Sequence, residues 1–345
     1  MICLIEPQNR EGLYPFTLTR ATADIRIGIF TIREKWERLT GKRAITKVDE
    51  SAHTGAIRIP ANLIPDLSNY QSILQAAALA SDEAFNKFPC IRHPWQIFQF
   101  NDKAIRDDFE MIRKNQQSSL PQGSVFIHPE NIIIEEGAKI SHSILNAETG
   151  PIYIARDAEI MEGCMIRGPF AMGEKSVLKM GTKIYGATTL GPYCVAGGEI
   201  KNAVFFGFSN KAHDGYLGDS VIGEWCNLGA GTSNSNIKNN GSPARYDFGQ
   251  GREPMEAGLK AGLLMADYSR SAINTSFNTA SVVGVSCNII SAGMVPRYVP
   301  SFTWADKKYE FAKAIADIRN WKKMKGADIS EAEIEILKNI YNTID

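Results

Sequence analysis

The chain has 345 residues, 44% of them hydrophobic and 22% charged, with 38 Lys plus Arg balanced by 38 Asp plus Glu. That is the composition of a soluble globular protein long enough for about two to three domains. Zero net charge gives no basic field for a nucleic acid, and no window reaches the roughly 18 consecutive apolar residues of a membrane span, so neither nucleic acid nor membrane is expected as a partner.

The amino terminus, MICLIEPQNR, has neither the charged start nor the long apolar run of a leader. The six cysteines are scattered with no CxxC pair, so a reduced, cytoplasmic protein is expected. Met1 to Ile5 reads as a short strand. Ile29 to Leu39 has the spacing of an amphipathic helix ended by Gly41, and HPWQIFQFNDKAIRDDFEMIRK is a second helical stretch ahead of Pro121. Residues 1–121 thus form a small α/β domain.

From about residue 130 a six-residue beat takes over. Ile154, Ile160, Ile166, Met172, Leu178, Ile184 and Leu190 follow one another at that step, and mostly small residues stand four after each: Ala158, Cys164, Phe170, Ser176, Thr182, Thr188 and Cys194. Apolar residues so spaced drift off any one face of an α-helix, whereas a parallel β-helix stacks each on its equivalents one coil above and below. Each buried aliphatic contributes roughly 1.5–3 kcal/mol. The beat shifts near Lys201 to Phe206, resumes at Tyr216, Ile222 and Leu228, and stops at IKNNGSPARYDFGQGREPMEAGLKAG, where Gly, Pro and charge predict a solvated loop. It returns as Met265, Ser271, Phe277, Val283, Ile289 and Val295. Cys164, Cys194, Cys226 and Cys287 fall on the small inward position, a packing role. The β-helix is assigned to 122–302. In 303–345, Phe311, Ile315 and Ile318 at helical spacing, and a capping box from Ser330 and Glu333, predict two helices over the open end of the coil.

Within the beat, KAHDGYLGDSVIGEWCNLGAGTSNSN (211–236) closely resembles the acetyltransferase coils of the bifunctional glucosamine-1-phosphate acetyltransferase/N-acetylglucosamine-1-phosphate uridylyltransferase family. The resemblance implies a left-handed parallel β-helix, acetyl-CoA as co-substrate, an amino-sugar 1-phosphate as acceptor, and a homotrimer whose neighbouring copies complete the coenzyme A groove. It implies His213 as general base, Lys201, Tyr216, Asn227 and Asn236 as substrate-binding residues, and Ala230, Gly231, Ala272 and Ala292 along the cofactor. The chemistry suits these residue types. Imidazole accepts a proton near neutral pH as an amine attacks a thioester, and backbone amides near Gly229 to Thr232 would stabilise the oxyanion. The family's arginine on an earlier coil has no counterpart in GPYCVAGGEIK, the stretch before Lys201.

Arg10 to Gly28, REGLYPFTLTRATADIRIG, resembles the sugar nucleotidyltransferase signature GTRLxPLTxxxPK, with Pro15, Phe16 and Thr17 at PLT. Arg10 and Arg20 are its nucleotide-binding candidates. EPQNRE replaces the glycine loop that brings amides to a triphosphate, and Thr22 stands where the lysine is expected. The resemblance implies an abbreviated sugar nucleotidyltransferase-like first domain, needing Mg²⁺ only if that activity is retained. The alternatives to acetyl transfer are sugar-1-phosphate nucleotidyl transfer and non-catalytic binding of a sugar nucleotide. His128, His142 and His213 share no steady coil spacing, so no metal site is expected.

Overall fold

The computed structural model describes residues 1–46, 56–78, 82–113, 120–249 and 251–344. The predicted first strand, Ile2–Ile5, lies between Ala44–Thr46 and Ile57–Pro60 in a three-stranded parallel sheet. Helix α1 (Ile32–Thr40) starts at a reciprocal capping box of Thr31 and Glu34 and ends at Gly41, whose left-handed φ of 65° suits a residue without a side chain. It starts later than the apolar spacing suggests because Phe30–Thr31 pairs with Arg26–Ile27 in a small antiparallel hairpin. Helix α2 (Tyr70–Ala78) follows, and the second predicted stretch resolves into α3 (Gln96–Gln99) and α4 (Asn101–Arg113).

The six-residue beat folds into a parallel β-helix of three faces. On the first face Ile166, Ile184, Ile200 and Leu217 are consecutive partners, and on the second Ile154, Met172, Leu190, Phe205, Ile222, Met265 and Val283. The third face stacks Ile160, Leu178, Ala196 and Lys211. All seven residues of the opening beat are 2% exposed or less, as a ladder with no second layer requires. The resumed beat differs at one position. The coils from Ile184 to Ile200 and on to Leu217 fall short of three full hexads, so Leu217 takes the inner column and Tyr216 turns outward.

The faces differ outside. Strands of the second face are buried on both sides, as Ile152–Ile154 and Phe170–Met172 show, whereas Met165–Arg167 on the first face alternates. A parallel strand covered on both sides reads as a continuous apolar run. The cover is the amino-terminal domain. Ile105 and Phe109 of α4, with Ile29 and Phe30, pack on Ile133, Tyr153, Ala171 and Ala187. Further along, Phe16, Ile97 and Phe98 join Val204, Val221, Leu264 and Val282 in one core. Asn101 bridges the two parts: its Oδ1 accepts from Gly28 N at 2.7 Å and its Nδ2 donates to Ala187 O at 2.8 Å.

Two expectations are corrected. The 237–262 insertion is not a solvated loop: Ala244–Tyr246 and Met255–Gly258 pair as an antiparallel hairpin, and Tyr246 and Phe248 stack on Trp95 at 5.5 and 6.2 Å. Helices α5 (Phe311–Lys323) and α6 (Glu331–Asn342), the latter with its predicted capping box, do not cover the open end. They pack along one corner of the β-helix, on Trp225, Tyr268, Val285 and Phe302. Tyr193, Phe208 and Trp225 all take left-handed φ at this corner and stack ring on ring at 4.9 and 4.4 Å. Those stacks, with the helices above them, hold bulky residues in a conformation that disfavours them.

Candidate functional site

The corner between the third and first faces carries His213. The third-face strands Val195–Ala196, Asn210–Lys211 and Asn227–Leu228 place Val195, Asn210 and Asn227 side by side on the outer surface. The chain then turns through His213 into the strand that starts at Tyr216. Beside this turn lies a cavity of about 450 Å³, lined by Asn210, His213, Asn227 and Ala230 on the coil side and by Trp321, Met324 and Lys325 from the end of α5.

Polar contacts order this cavity. Lys325 Nζ donates to Tyr193 O at 2.6 Å, Phe208 O at 3.0 Å and Asn210 Oδ1 at 2.9 Å, pinning the helical tail to the coils. With its oxygen so engaged, Asn210 offers Nδ2 to Asn227 Oδ1 at 3.4 Å, which leaves the Asn227 NH₂ for the cavity. Behind His213, the inward-pointing Lys211 donates to Gly197 O at 3.0 Å and His213 O at 2.8 Å. Burial pulls its pKa down to about 8, with Asp214 acting in the opposite sense.

The cofactor candidates occupy successive coils of the same corner. Gly229 N donates to Ser271 O at 3.1 Å, Gly231 N to Asp214 O at 3.0 Å and Thr232 N to Gly229 O at 3.1 Å. These three amides are committed within the coil, whereas the Ala230 N–H has no hydrogen-bond partner among the described residues and remains the one oxyanion donor of the stretch Gly229 to Thr232. At Gly231, φ is 73°, a left-handed conformation that favours glycine, and an added Cβ would meet the Asn274 side chain of the next coil. Ala272 is half-buried and Ala292 exposed on the next two coils.

Lys201, Tyr216 and Asn236 form a second group, on the first face. Asn236 Nδ2 donates to the Tyr216 hydroxyl at 3.0 Å and also to Asp219. Burial and the neighbouring Asp219 push the Tyr216 phenol up to about 12. Lys201 pairs in register with Tyr185, and its Nζ lies 5.4 Å from that ring. Tyr185 donates to Glu199, which raises its pKa to about 12.

The amino-terminal candidates lie elsewhere. Arg20 is buried between Asp267 and Glu224 (3.2 Å to the latter) and sits over the Phe206 ring at 4.8 Å. Burial works against its charge, and the two carboxylates outweigh burial and raise its pKa. Arg20 therefore clamps the domain to the β-helix instead of facing a nucleotide. Arg10 is held by Glu6 at 3.3 Å and Thr17 O at 2.6 Å. Neither lines the groove of about 770 Å³ at the carboxyl ends of Ile2–Ile5 and Ile57–Pro60, which is bordered by Glu6, Gln8, Arg58, Asn62 and Arg92. Thr22 donates to Glu6 through N at 2.9 Å and Oγ1 at 2.6 Å.

Sequence reasoning missed Asn210, Lys211, Trp321, Met324 and Lys325. The asparagine column at 210 and 227 is one coil apart and was a usable signal. The tail residues carried none, since what brings them here is the aromatic corner. Among the described residues, no group of three or more His, Cys, Asp or Glu could hold a metal ion, and no helix is long and apolar enough to cross a membrane.

Comparison with known proteins gives a consistent picture. The sugar nucleotidyl transferase family matches residues 2–54. The bifunctional protein GlmU of Methanocaldococcus jannaschii is 30% identical over 112 residues, 32% of this chain and 27% of the relative. That of Alkaliphilus metalliredigens is 25% identical over 267 residues, 65% of this chain and 58% of the relative. The chain thus matches little more than half the length of these relatives at most. Among solved structures, the Arabidopsis UDP-N-acetylglucosamine acyltransferase aligns with a TM-score of 0.23 at 16% identity, over 65% of this chain and 90% of that one.

Proposed function

Starting from the chain's place as a diverged relative of the bifunctional GlmU proteins, we propose that it is an acetyl-CoA-dependent N-acetyltransferase acting on an amino-sugar 1-phosphate. The observation that carries this reading is that His213, Asn227 and Ala230 share one cavity. The amine nitrogen attacks the thioester carbonyl, a C–N bond replaces the C–S bond, His213 takes the ammonium proton and the thiol leaves with one. With the amides of Gly229, Gly231 and Thr232 committed, the Ala230 N–H, which has no partner among the described residues and lines the same cavity, is the donor for the developing oxyanion. Lys201, Tyr216 and Asn236 hold the sugar phosphate. A homotrimer, in which a neighbouring copy closes the groove along Ala272 and Ala292, is part of this proposal, as are the domain limits 1–121, 122–302 and 303–345.

Thiol release from acetyl-CoA in the presence of glucosamine 1-phosphate tests it. His213→Ala loses about 10²-fold or more in kcat, the size of a general-base contribution. Full activity in that variant refutes the assignment. A second reading, nucleotidyl transfer with Mg²⁺ in the amino-terminal groove, is favoured by that groove's position at the carboxyl ends of parallel strands. Pyrophosphate release from UTP or dTTP with a sugar 1-phosphate distinguishes it from acetyl transfer.

A further inference from the structure

Beside the His213 cavity lies a buried cation whose Nε and Nη2 have no hydrogen-bond partner among the described residues. Arg270 is one coil beyond Asn227 on the third face, in direct register with it. Its neighbour Ser271 pairs with the buried Ile289 on the inner column, so the Arg270 side chain points out of the prism. It is nonetheless only 7% exposed, because α5 lies over it and the Trp321 ring sits 5.2 Å from the guanidinium. Nε and Nη2 are both buried, and neither has a hydrogen-bond partner among the described residues. Asp317, the acid of α5 whose charge acts on Arg270, is engaged by the Tyr309 hydroxyl.

A buried guanidinium left in this state is strongly unfavourable, and an aliphatic side chain would fill the same space under Trp321 without that cost. Buried polar groups find partners, and a ligand is one place to find them. The residues on either side of Arg270, Asn227 and Trp321, both line the cavity. Arg270 itself stands just behind that lining; none of the lining residues is acidic, Lys325 adds positive charge while its Nζ is held by Tyr193, Phe208 and Asn210, and the Asn227 NH₂ has no partner among the described residues. Ile273 and Met324 give the mouth an exposed apolar lip.

We propose that this cavity is an oxyanion-binding site in which Arg270, with the Asn227 amide, pairs a phosphate or carboxylate of the bound ligand. This goes beyond the acetyltransferase reading, which puts the sugar phosphate at Lys201 on another face.

The test is calorimetric titration and thermal shift of the full chain with inorganic phosphate, coenzyme A, glucosamine 1-phosphate and succinate, the last separating a carboxylate from a phosphate. The variants are Arg270→Met, Arg270→Lys and Lys201→Met. At least one probe binds the native chain. Arg270→Met weakens that binding tenfold or more, Arg270→Lys restores part of it, and the ligand-free Tm of Arg270→Met is not lowered. The proposal is overturned if no probe binds, if affinity follows Lys201 instead of Arg270, or if Arg270→Met lowers the ligand-free Tm with binding unchanged. Arg270-dependent binding without any thiol release supports this site and counts against acetyl transfer alone.

Discussion

Lys211 occupies an inner column whose other members include Ile160, Leu178 and Ala196, and its ammonium ties the backbone of His213 to the coil below. Its pKa of about 8 lies below the ordinary lysine value, so between pH 8 and about 10.4 the unfolded chain binds the proton that the folded chain has lost. Stability from this group therefore rises with pH across that window. Buried Cys194, Cys226 and Cys287, all pushed up, act in the opposite direction, so the comparison is with Lys211→Met. From pH 7 to pH 10 the native chain gains about 2 kcal/mol on that variant in chemical denaturation. Lys35 and Asp108 form a second buried pair under α4. Lys35→Met strands the Asp108 carboxylate and costs about 3–5 kcal/mol at pH 7, read by the same titration. At this scale His213, Asn227 and Ala230 were legible because they sit within one short motif. Lys211 was not, since two short coils shift the beat and bring a lysine where an aliphatic belongs. Nor was Arg270, whose burial depends on Trp321 some fifty residues on.

The hexad is legible because every coil needs an aliphatic at the same step, and each capping box because its two partners are three residues apart. Phe277→Ala, in the first-face ladder with Val295, is expected to cost about 3–5 kcal/mol, seen as a lower denaturation midpoint at unchanged slope. The α6 cap has wider reach than its motif implies. Glu333, besides closing the box with Ser330, accepts from Lys322 of α5 and from the Tyr268 hydroxyl at 2.8 Å on the β-helix. Ser330→Ala accordingly costs about 1 kcal/mol or somewhat more, read from the same denaturation curve. The tail's position was not legible. A sequence pattern says which face of a helix is apolar, while the matching surface here is a row of aromatics at left-handed corners spaced a coil apart. The insertion was misread for a similar reason: its Gly, Pro and charge outnumber the two aromatics that anchor it on Trp95.

Solenoids usually unfold as a string of neighbouring units, each contacting only the next. Here the amino-terminal domain runs along the second face, the inserted hairpin grips that domain, and Arg20 links it to Asp267. One cooperative transition is expected. Trp36 and Trp95 report from the domain and Trp225, Trp304 and Trp321 from the tail side, so fluorescence and far-UV circular dichroism trace coincident melting curves. Arg20→Met leaves the buried Asp267 without its cation, with only Thr19 and the Glu224 amide as donors among the described residues, and breaks that coincidence, the domain transition moving to lower temperature. The contact of α4 with Ile133, Tyr153, Ala171 and Ala187 carries a further meaning. These residues mark successive coils about 4.8 Å apart, and the helix lies across all of them. The helix acts as a ruler: duplicating or deleting one coil between 132 and 190 would leave its apolar side a strand spacing short or overhanging. The height of the prism over these coils is thus set from outside it, by the helix alongside.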